Sequence, residues 1–381
     1  MLIEIKGVQF VNKGAELMLH AILEKAKTIW PEAEFCLVPN NNSPYLARSK
    51  MTCYQKLNFR KNIIDLASIF YLLPNKIRHY FKSNWGIVTE ADVDMILDAS
   101  GFTYGDQWTT LMLKQTAREA VRLKKKGKHY VFMPQALGPF STSANKAAAQ
   151  HAFNAASIVF AREQTSFVHA KSCASSANIQ LAPDFTNLLT SSLAPQYQHL
   201  QQQIAIIPNS KMLSKKNTNA LWRSNYIHVL CEIIKAFTEQ NQQLFLLNHE
   251  GTTDQEICEK INQHLEHKLS IVSPNSAKDV KAIIGNCKAI VCSRYHGCVS
   301  ALSQAIPCLA TSWSHKYEML FTEYQVDELL LNADISVQQI RDKVAYIINN
   351  KKEITTKLQP NINKYKEASE VMWQQLEKSI N

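Results

Sequence analysis

Two α/β domains of similar size, each built on a parallel sheet covered by helices, are the fold that the sequence predicts. Apolar runs of strand length alternate with longer stretches of helical period almost from end to end. The alternation breaks once, at the polar, Gln-rich stretch Leu193 to Gln203, and then resumes. At ~100–200 residues per domain, a chain of 381 residues also favours two cores over one.

The elements follow in order. Leu2 to Val8 reads as a strand, Ala15 to Ile29 as a helix and Glu34 to Val38 as a strand. After an irregular middle come a strand at Val93 to Ala99, a helix through about Lys126, a strand at His129 to Met133 and a helix near Ala144 to Ala156. Strands at Ser157 to Ala161 and Ile179 to Ala182 close the first half. Beyond the break, Ile204 to Pro208, Leu244 to Leu247, Leu269 to Val272, Ala289 to Cys292 and Cys308 to Thr311 are strands separated by helical patterns. Such βαβ alternation implies parallel sheets with helices on both faces. The expected first domain is residues 1–192, with a basic insertion at about 45–85, and the second is 204–358. Residues 359–381 form a terminal helix that caps the second domain or crosses back to the first.

Composition narrows the function. Hydrophobic residues at 46% and charged residues at 19% exclude a disordered chain, a collagen or a disulfide miniprotein. A net charge of +10 calls for an anionic partner: nucleic acid, a lipid surface or a small phosphorylated substrate. Nucleic acid is disfavoured, because no recognition-helix or RNA-binding signature is present and the arginines of interest sit at strand ends. Nine cysteines without a Cys-x-x-Cys pair fit reduced, buried thiols, and no metal site is expected. Met1 to Lys6 carries an early acid and no long apolar run, so a signal peptide is not expected. No stretch reaches the ~18 apolar residues of a spanning helix. The expected location is the cytoplasm, free or peripheral at the inner face of the membrane. The segment Lys56 to Lys82 bears on that choice, setting Lys56, Arg60, Lys61, Lys76, Arg78 and Lys82 around the apolar run Ile63 to Leu73, with Asp65 its one acid. It suits a helix lying on an anionic membrane, or an insertion packed on the domain with a solvated basic edge.

In an open parallel sheet, ligands bind beyond the carboxyl ends of the strands, where loops lead into helix N-termini. Ser293-Arg294-Tyr295-His296-Gly297 is the richest such loop. It combines a fixed guanidinium, an imidazole able to move a proton near neutral pH and a glycine at a helix start. Arg162, in Ala161-Arg162-Glu163-Gln164-Thr165-Ser166, could clamp a carboxylate or phosphate, or pair with a neighbouring acid. The loop Ser100 to Trp108 sets Phe102 and Tyr104 beside Asp106, as a sugar site would. Asp106 is either a base for a sugar hydroxyl or the cap of a helix starting at Gln107. Asn12, Glu16, His249 and Lys316 follow strands in the same way, with Lys316 a phosphate contact and Asp254 a helix cap. The GxGxxG and GxxxxGK[ST] fingerprints are absent, which disfavours nicotinamide and P-loop enzymes.

In this order, the loops resemble the polysaccharide pyruvyl transferase family. The resemblance runs through Gly7, Asn12-Lys13-Gly14-Ala15-Glu16, Gly101-Phe102, Gly105-Asp106, Met133 to Phe140, Ala161-Arg162-Glu163 with Ser166, and Ala182-Pro183-Asp184-Phe185. It continues through His249 with Asp254, Ser293 to Gly297, and Lys316. The chain departs from the pattern at Ala15, where an Asp often stands, and in the basic insertion. The resemblance implies two Rossmann-like domains facing a cleft, as in GT-B glycosyltransferases, and transfer of the enolpyruvyl carbons of phosphoenolpyruvate onto two hydroxyls of a sugar, free or lipid-linked. It implies that Arg162 and Arg294 hold the carboxylate and phosphate of the donor and that His296 acts in proton transfer; from their places in the loops, Tyr295, Gly297 and Lys316 are expected beside the donor, Asp106 as a base, and Asn12, Glu16, Phe102, Tyr104 and His249 on the acceptor side. No cofactor is expected beyond phosphoenolpyruvate as co-substrate. Two other classes stay open: a GT-B glycosyltransferase using a nucleotide sugar, and a basic polyanion-binding module without catalysis.

Overall fold

The computed structural model describes residues 1–380 apart from 62, 63, 216 and 313; Asn62, Ile63 and Asn381, which fall in segments read above, lie outside the described residues. The chain divides into two compact units, one of Met1–Phe10, Met18–Phe185 and Ala368–Asn381, the other of Val11–Leu17 and Thr186–Glu367. This division departs from the sequence boundaries at residues 11–17 and 186–192, which belong to the second unit. The terminal helix also differs. It is one element, Lys351–Ile380, whose residues 351–367 belong to the second unit and the rest to the first. Pro360 does not end it. Ile354, Leu358 and Ile362 join the core of the second unit, while Trp373 packs edge-on against Phe185 in the first.

The first unit contains β1 (Leu2–Lys6), β2 (Glu34–Leu37), β3 (Tyr54–Lys56), the antiparallel pair β4 (Arg60–Lys61) and β5 (Ile64–Asp65), β6 (Ile87–Val88), β7 (Met95–Asp98), β8 (His129–Gln135), β9 (Ile158–Ala161) and β10 (Ile179–Leu181). Eight of these form one parallel sheet in the order β10-β9-β8-β7-β1-β2-β3-β6. Ile158–Ala161 is a wholly apolar, buried run, whereas β1 carries Glu4 and Lys6 and β7 ends in Asp98.

In the segment 45–85, four of the cations that the sequence suggested would face outward, Lys56, Arg60, Arg78 and Lys82, pair with acids, while Lys76 is exposed. Lys56 is buried between Glu4 and Glu119, with Glu119 at 3.2 Å. Arg60 reaches Glu119 at 2.6 Å, Arg78 pairs with Asp92 and Lys82 with Glu34. The reason is strand pairing: β3 lies two strands from β1, where Glu4 points into the same layer as Glu119 of the helix Thr110–Lys125. Lys6 enters this cluster too, bonding Glu119 and Thr116 at 3.0 Å and Tyr130 at 2.8 Å.

The second unit contains β11 (Ile204–Ile207), β12 (Leu244–Leu247), β13 (Ile271–Val272), β14 (Ala289–Cys292), β15 (Cys308–Thr311) and β16 (Leu330–Leu331). They form a parallel sheet in the order β13-β12-β11-β14-β15-β16, a doubly wound arrangement in which β11 and β14 are neighbours whose chains leave in opposite directions along the sheet. Two of its helices start on side-chain caps: Asn219 accepts from the Trp222 N–H, and Ser276 from that of Asp279. All nine cysteines are free.

Candidate functional site

The crevice between β11 and β14 is where a doubly wound sheet leaves room for a ligand. The loop after β14 is held there by a closed set of hydrogen bonds around Ser293. Tyr226 donates to its hydroxyl at 2.6 Å and Thr311 bonds the same oxygen at 2.7 Å. Its carbonyl accepts from Asn209 at 2.8 Å and Tyr317 at 2.9 Å. Four side chains distant in sequence thus fix the backbone from which Arg294 and His296 project.

Arg294 immediately precedes the helix Tyr295–Leu302. It is buried, and Asp254 grips it from two directions, with Nε donating at 2.9 Å to Oδ2 and a second nitrogen donating to Oδ1. Asp254 is not the helix cap expected from sequence. It lies inside the first turn of the helix Gly251–Gln263 and uses its free edge to accept from the Ser210 N–H at 3.2 Å. Burial raises its carboxyl above the usual aspartate value, against the pull of the Arg294 guanidinium. The remaining arm of Arg294 donates to Glu250, whose other oxygen accepts from Asn12 Nδ2 at 3.1 Å. Glu250 had no assigned role in the sequence; its position just before a helix in the same loop as His249 was the available signal.

Asn12 also caps its own helix, its Oδ1 accepting from the Gly14 N–H at 2.9 Å and the Ala15 N–H at 3.3 Å. Gly14 in that turn faces His296: a methyl group there would stand 2.3 Å from Nδ1 of the imidazole. The other ring edge neighbour of His296 is Tyr295, with centroids 5.4 Å apart and planes perpendicular. Glu16 is paired with Lys13 at 2.7 Å, and Lys13 also donates to the Asn275 carbonyl at 2.8 Å. His249 is buried, and its Nδ1 has no hydrogen-bond partner among the described residues. Burial, then the charges of Arg294, His296 and Lys13, hold its proton affinity well below the ordinary histidine range, so it is neutral. Lys316 places its ammonium 5.1 Å from the Tyr295 ring and 5.7 Å from that of Tyr317. Gly297 serves helix packing, since a methyl group there would meet Cys292 Sγ at 2.5 Å. The second unit therefore brings together Asn12, Glu16, His249, Arg294, Tyr295, His296, Gly297 and Lys316.

The remaining candidates are in the first unit. Tyr104 is a correction: at 2% exposure its hydroxyl donates to Asp98 at 2.6 Å within the core, so its ring offers no face to a sugar. Asp106 caps no helix at Gln107, since that helix starts at Thr110. Its carboxylate accepts from the Ser141 N–H and from Asn145 Nδ2, both at 2.7 Å. These bonds outweigh partial burial and keep it below the usual aspartate value, which makes it a weak base. Phe102 is half-buried in the same loop. Arg162 is buried at the end of β9, with Asp184 at 3.5 Å and Glu163 at 3.8 Å. Glu163 accepts from the Ser166 hydroxyl, which in turn accepts from the Leu137 N–H at 2.7 Å. No group of three or more His, Cys, Asp or Glu side chains among the described residues could hold a metal ion.

Comparison with known proteins agrees with this architecture. A family model described as polysaccharide pyruvyl transferase matches residues 12–315. No curated protein matches significantly. Among solved structures, the UDP-GlcNAc 2-epimerase from Neisseria meningitidis, bound to UDP-GlcNAc, is similar at 11% identity and a TM-score of 0.61 over 99% of each chain. A putative UDP-N-acetylglucosamine 2-epimerase from Listeria monocytogenes is similar at 13% identity and a TM-score of 0.60, over 98% of this chain and 94% of that one. At these identities the likeness shows the fold, a GT-B-like α/β arrangement with two parallel sheets.

Proposed function

Since the chain belongs to the polysaccharide pyruvyl transferase family, we propose that it moves the enolpyruvyl group of phosphoenolpyruvate onto two hydroxyls of a surface-polysaccharide sugar, forming a pyruvate ketal and releasing phosphate. The observation that carries this reading is the loop Arg294-Tyr295-His296, fixed through Ser293 at the switch point of the second sheet with Lys316 beside it. Phosphoenolpyruvate carries about three negative charges near neutral pH, and fixed cations both concentrate and orient such a ligand.

In this reading His296 delivers a proton to the methylene carbon, turning it into a methyl group and leaving an oxocarbenium-like centre at the adjacent carbon. A sugar hydroxyl attacks that carbon and loses its proton. The bond from the carbon to the phosphate oxygen then breaks, and the second hydroxyl closes the ketal, giving up its proton to the departing phosphate. Arg294, held by Asp254, presents its outer arm to the donor, and Lys316 neutralises phosphate as it leaves. Arg162 is the second arginine assigned to an anion, and Arg162→Ala tests it separately.

The experiment incubates purified protein with phosphoenolpyruvate and a panel of lipid-linked and nucleotide-linked sugars, following phosphate release and the mass of the product. Phosphate release that requires both substrates, and falls in Arg294→Lys, supports the reading. Thermal stabilisation by a nucleotide sugar with none from phosphoenolpyruvate would replace it with a glycosyltransferase. Strongly salt-dependent binding to polyanions without turnover would replace it with a binding module.

A further inference from the structure

Lys56, Arg60, Arg78 and Lys82 are paired with acids, yet apolar side chains beside them turn out. The 3₁₀ turn Ala67–Leu72 explains the sorting. With three residues per turn, side chains three apart eclipse. Ala67 and Phe70 share the inner face, and Phe70 packs against Phe59 with ring centroids 5.2 Å apart. Leu66, Ile69 and Leu72 share the outer face and are 45%, 50% and 83% exposed. The helix Asn75–Trp85 follows directly and has no buried residue; Ile77, Tyr80 and Trp85 are exposed on it, with the last two in edge contact at 5.5 Å.

Charge around this stripe has one sign. No Asp or Glu occurs between Leu66 and Val88. The nearest acids in the chain are engaged: Asp65 by Arg60 and Arg122, Glu90 by Arg122, and Asp92 by Arg78. Lys126 is brought beside the stripe through Tyr71 and continues the exposed Lys124 and Lys125 at the end of the helix Thr110–Lys125, where Lys124 donates to the Asn154 carbonyl at 2.7 Å. The Lys126 ammonium sits 5.1 Å from the centre of that ring, and Lys128 follows at 5.5 Å. Exposed Lys76 adds a further cation on the far side of Leu72 in sequence.

We propose that this face docks on an anionic lipid bilayer, with Leu66, Ile69 and Leu72 entering the headgroup–acyl boundary, Tyr80 and Trp85 at the interface, and Lys76 and Lys124–Lys126 against lipid phosphates. A protruding apolar stripe rimmed by one sign of charge matches the chemistry of such a surface. A stable protein interface takes roughly 800 Å² per partner with mixed polar pairing, which a three-residue stripe does not supply. This inference does not depend on the pyruvyl-transfer reading.

The test is flotation of the full chain with vesicles of phosphatidylcholine alone and with about one-third phosphatidylglycerol. Co-flotation is expected with the anionic vesicles only, reduced by high salt. Ile69→Asp and Leu72→Asp, both on exposed positions and so expected to fold normally by thermal melting, each lower the bound fraction about tenfold. The triple variant Lys124→Glu, Lys125→Glu, Lys126→Glu weakens binding and flattens its salt dependence. Failure of the wild type to float with anionic vesicles, or flotation indifferent to both aspartate variants, overturns the proposal. So does a wild-type dimer that Leu72→Asp converts to a monomer, since the face would then belong to a second copy of the chain.

Discussion

Each unit buries a network of charges, and the two differ in how completely they close. In the first, Glu4, Asp98 and Glu119 meet Lys6, Lys56 and Arg60, and each cation reaches at least two acids. Burial alone would lower the proton affinity of Lys6, but Glu119, Tyr104 and Asp98 raise it well above the ordinary lysine range. Burial raises Glu119 in turn, and Lys6, Lys56 and Arg60 override it, so it stays ionised. In the second, Arg294 has Asp254 in full but shares Glu250 with Asn12 at a partly exposed position, and beside it the buried His249 keeps an unused ring nitrogen. A closed network fixes a segment against a sheet; one left open on one side has capacity for a ligand.

The largest expected effects separate the two. His296→Ala lowers turnover about 10²- to 10⁴-fold, as removal of a general acid does, while the melting temperature stays near that of the wild type. Glu119→Gln does the opposite: leaving three buried cations undercompensated costs about 3–5 kcal/mol of stability, read as a lower urea midpoint. If Glu119→Gln melts normally, the first network is not what secures residues 54–65.

The same contrast explains what was legible in the sequence. Strands such as Ile204 to Ile207, Leu244 to Leu247 and Ala289 to Cys292 are apolar on both faces, so their periodicity identifies them within a residue or so. The short strands at or next to a sheet edge, Tyr54–Lys56, Ile87–Val88 and Leu330–Leu331, are two or three residues long and carry no periodicity. Lys56 misleads because a lysine next to an apolar run reads as surface, whereas Glu4 and Glu119, distant in sequence, supply its burial. Arg294 and His296 were visible because strand, turn and helix lie consecutively in the chain. Asp254 as the partner of Arg294 was not, because an acid in a first helical turn looks like a cap until the fold brings β12 and β14 to either side of β11.

Gly14 offers a sharper cut with a smaller effect. A methyl group 2.3 Å from the His296 Nδ1 must displace the imidazole, since the other option is to move a helix start tied by Asn12. Gly14→Ala should therefore lower turnover about 10- to 100-fold at nearly unchanged stability. A loss of stability with no change in turnover would mean that the helix start yields first and His296 is undisturbed.

His249 gives the open network a pH signature. Its proton affinity is depressed in the folded state, so the unfolded chain binds the proton first as pH falls. Its contribution to stability is complete above about pH 6.5, the unfolded histidine value, and is lost as pH falls below it, with a limiting slope of about 1.4 kcal/mol per pH unit. Urea titrations from pH 7.5 to about 5 should show a steeper fall for the wild type than for His249→Gln. Parallel curves would place the acid sensitivity elsewhere.

Glu250→Gln is the smallest and most diagnostic change. The Glu250 carboxylate occupies the outer arm of Arg294, the arm that the proposed reaction offers to the donor, and its side chain is 19% exposed. Glu250 is the more exposed of the two acids that hold Arg294, so a trianionic donor displaces it more readily than Asp254. Glutamine removes the charge that competes with the donor and, with one acceptor oxygen in place of two, keeps only one of the hydrogen bonds from Arg294 and Asn12. The KM for phosphoenolpyruvate should fall about three- to tenfold, with kcat within about twofold of the wild type, because Asp254 still orients the guanidinium. A rise in KM would instead make Glu250 a positioning residue for Arg294, and the second network would then be as closed as the first.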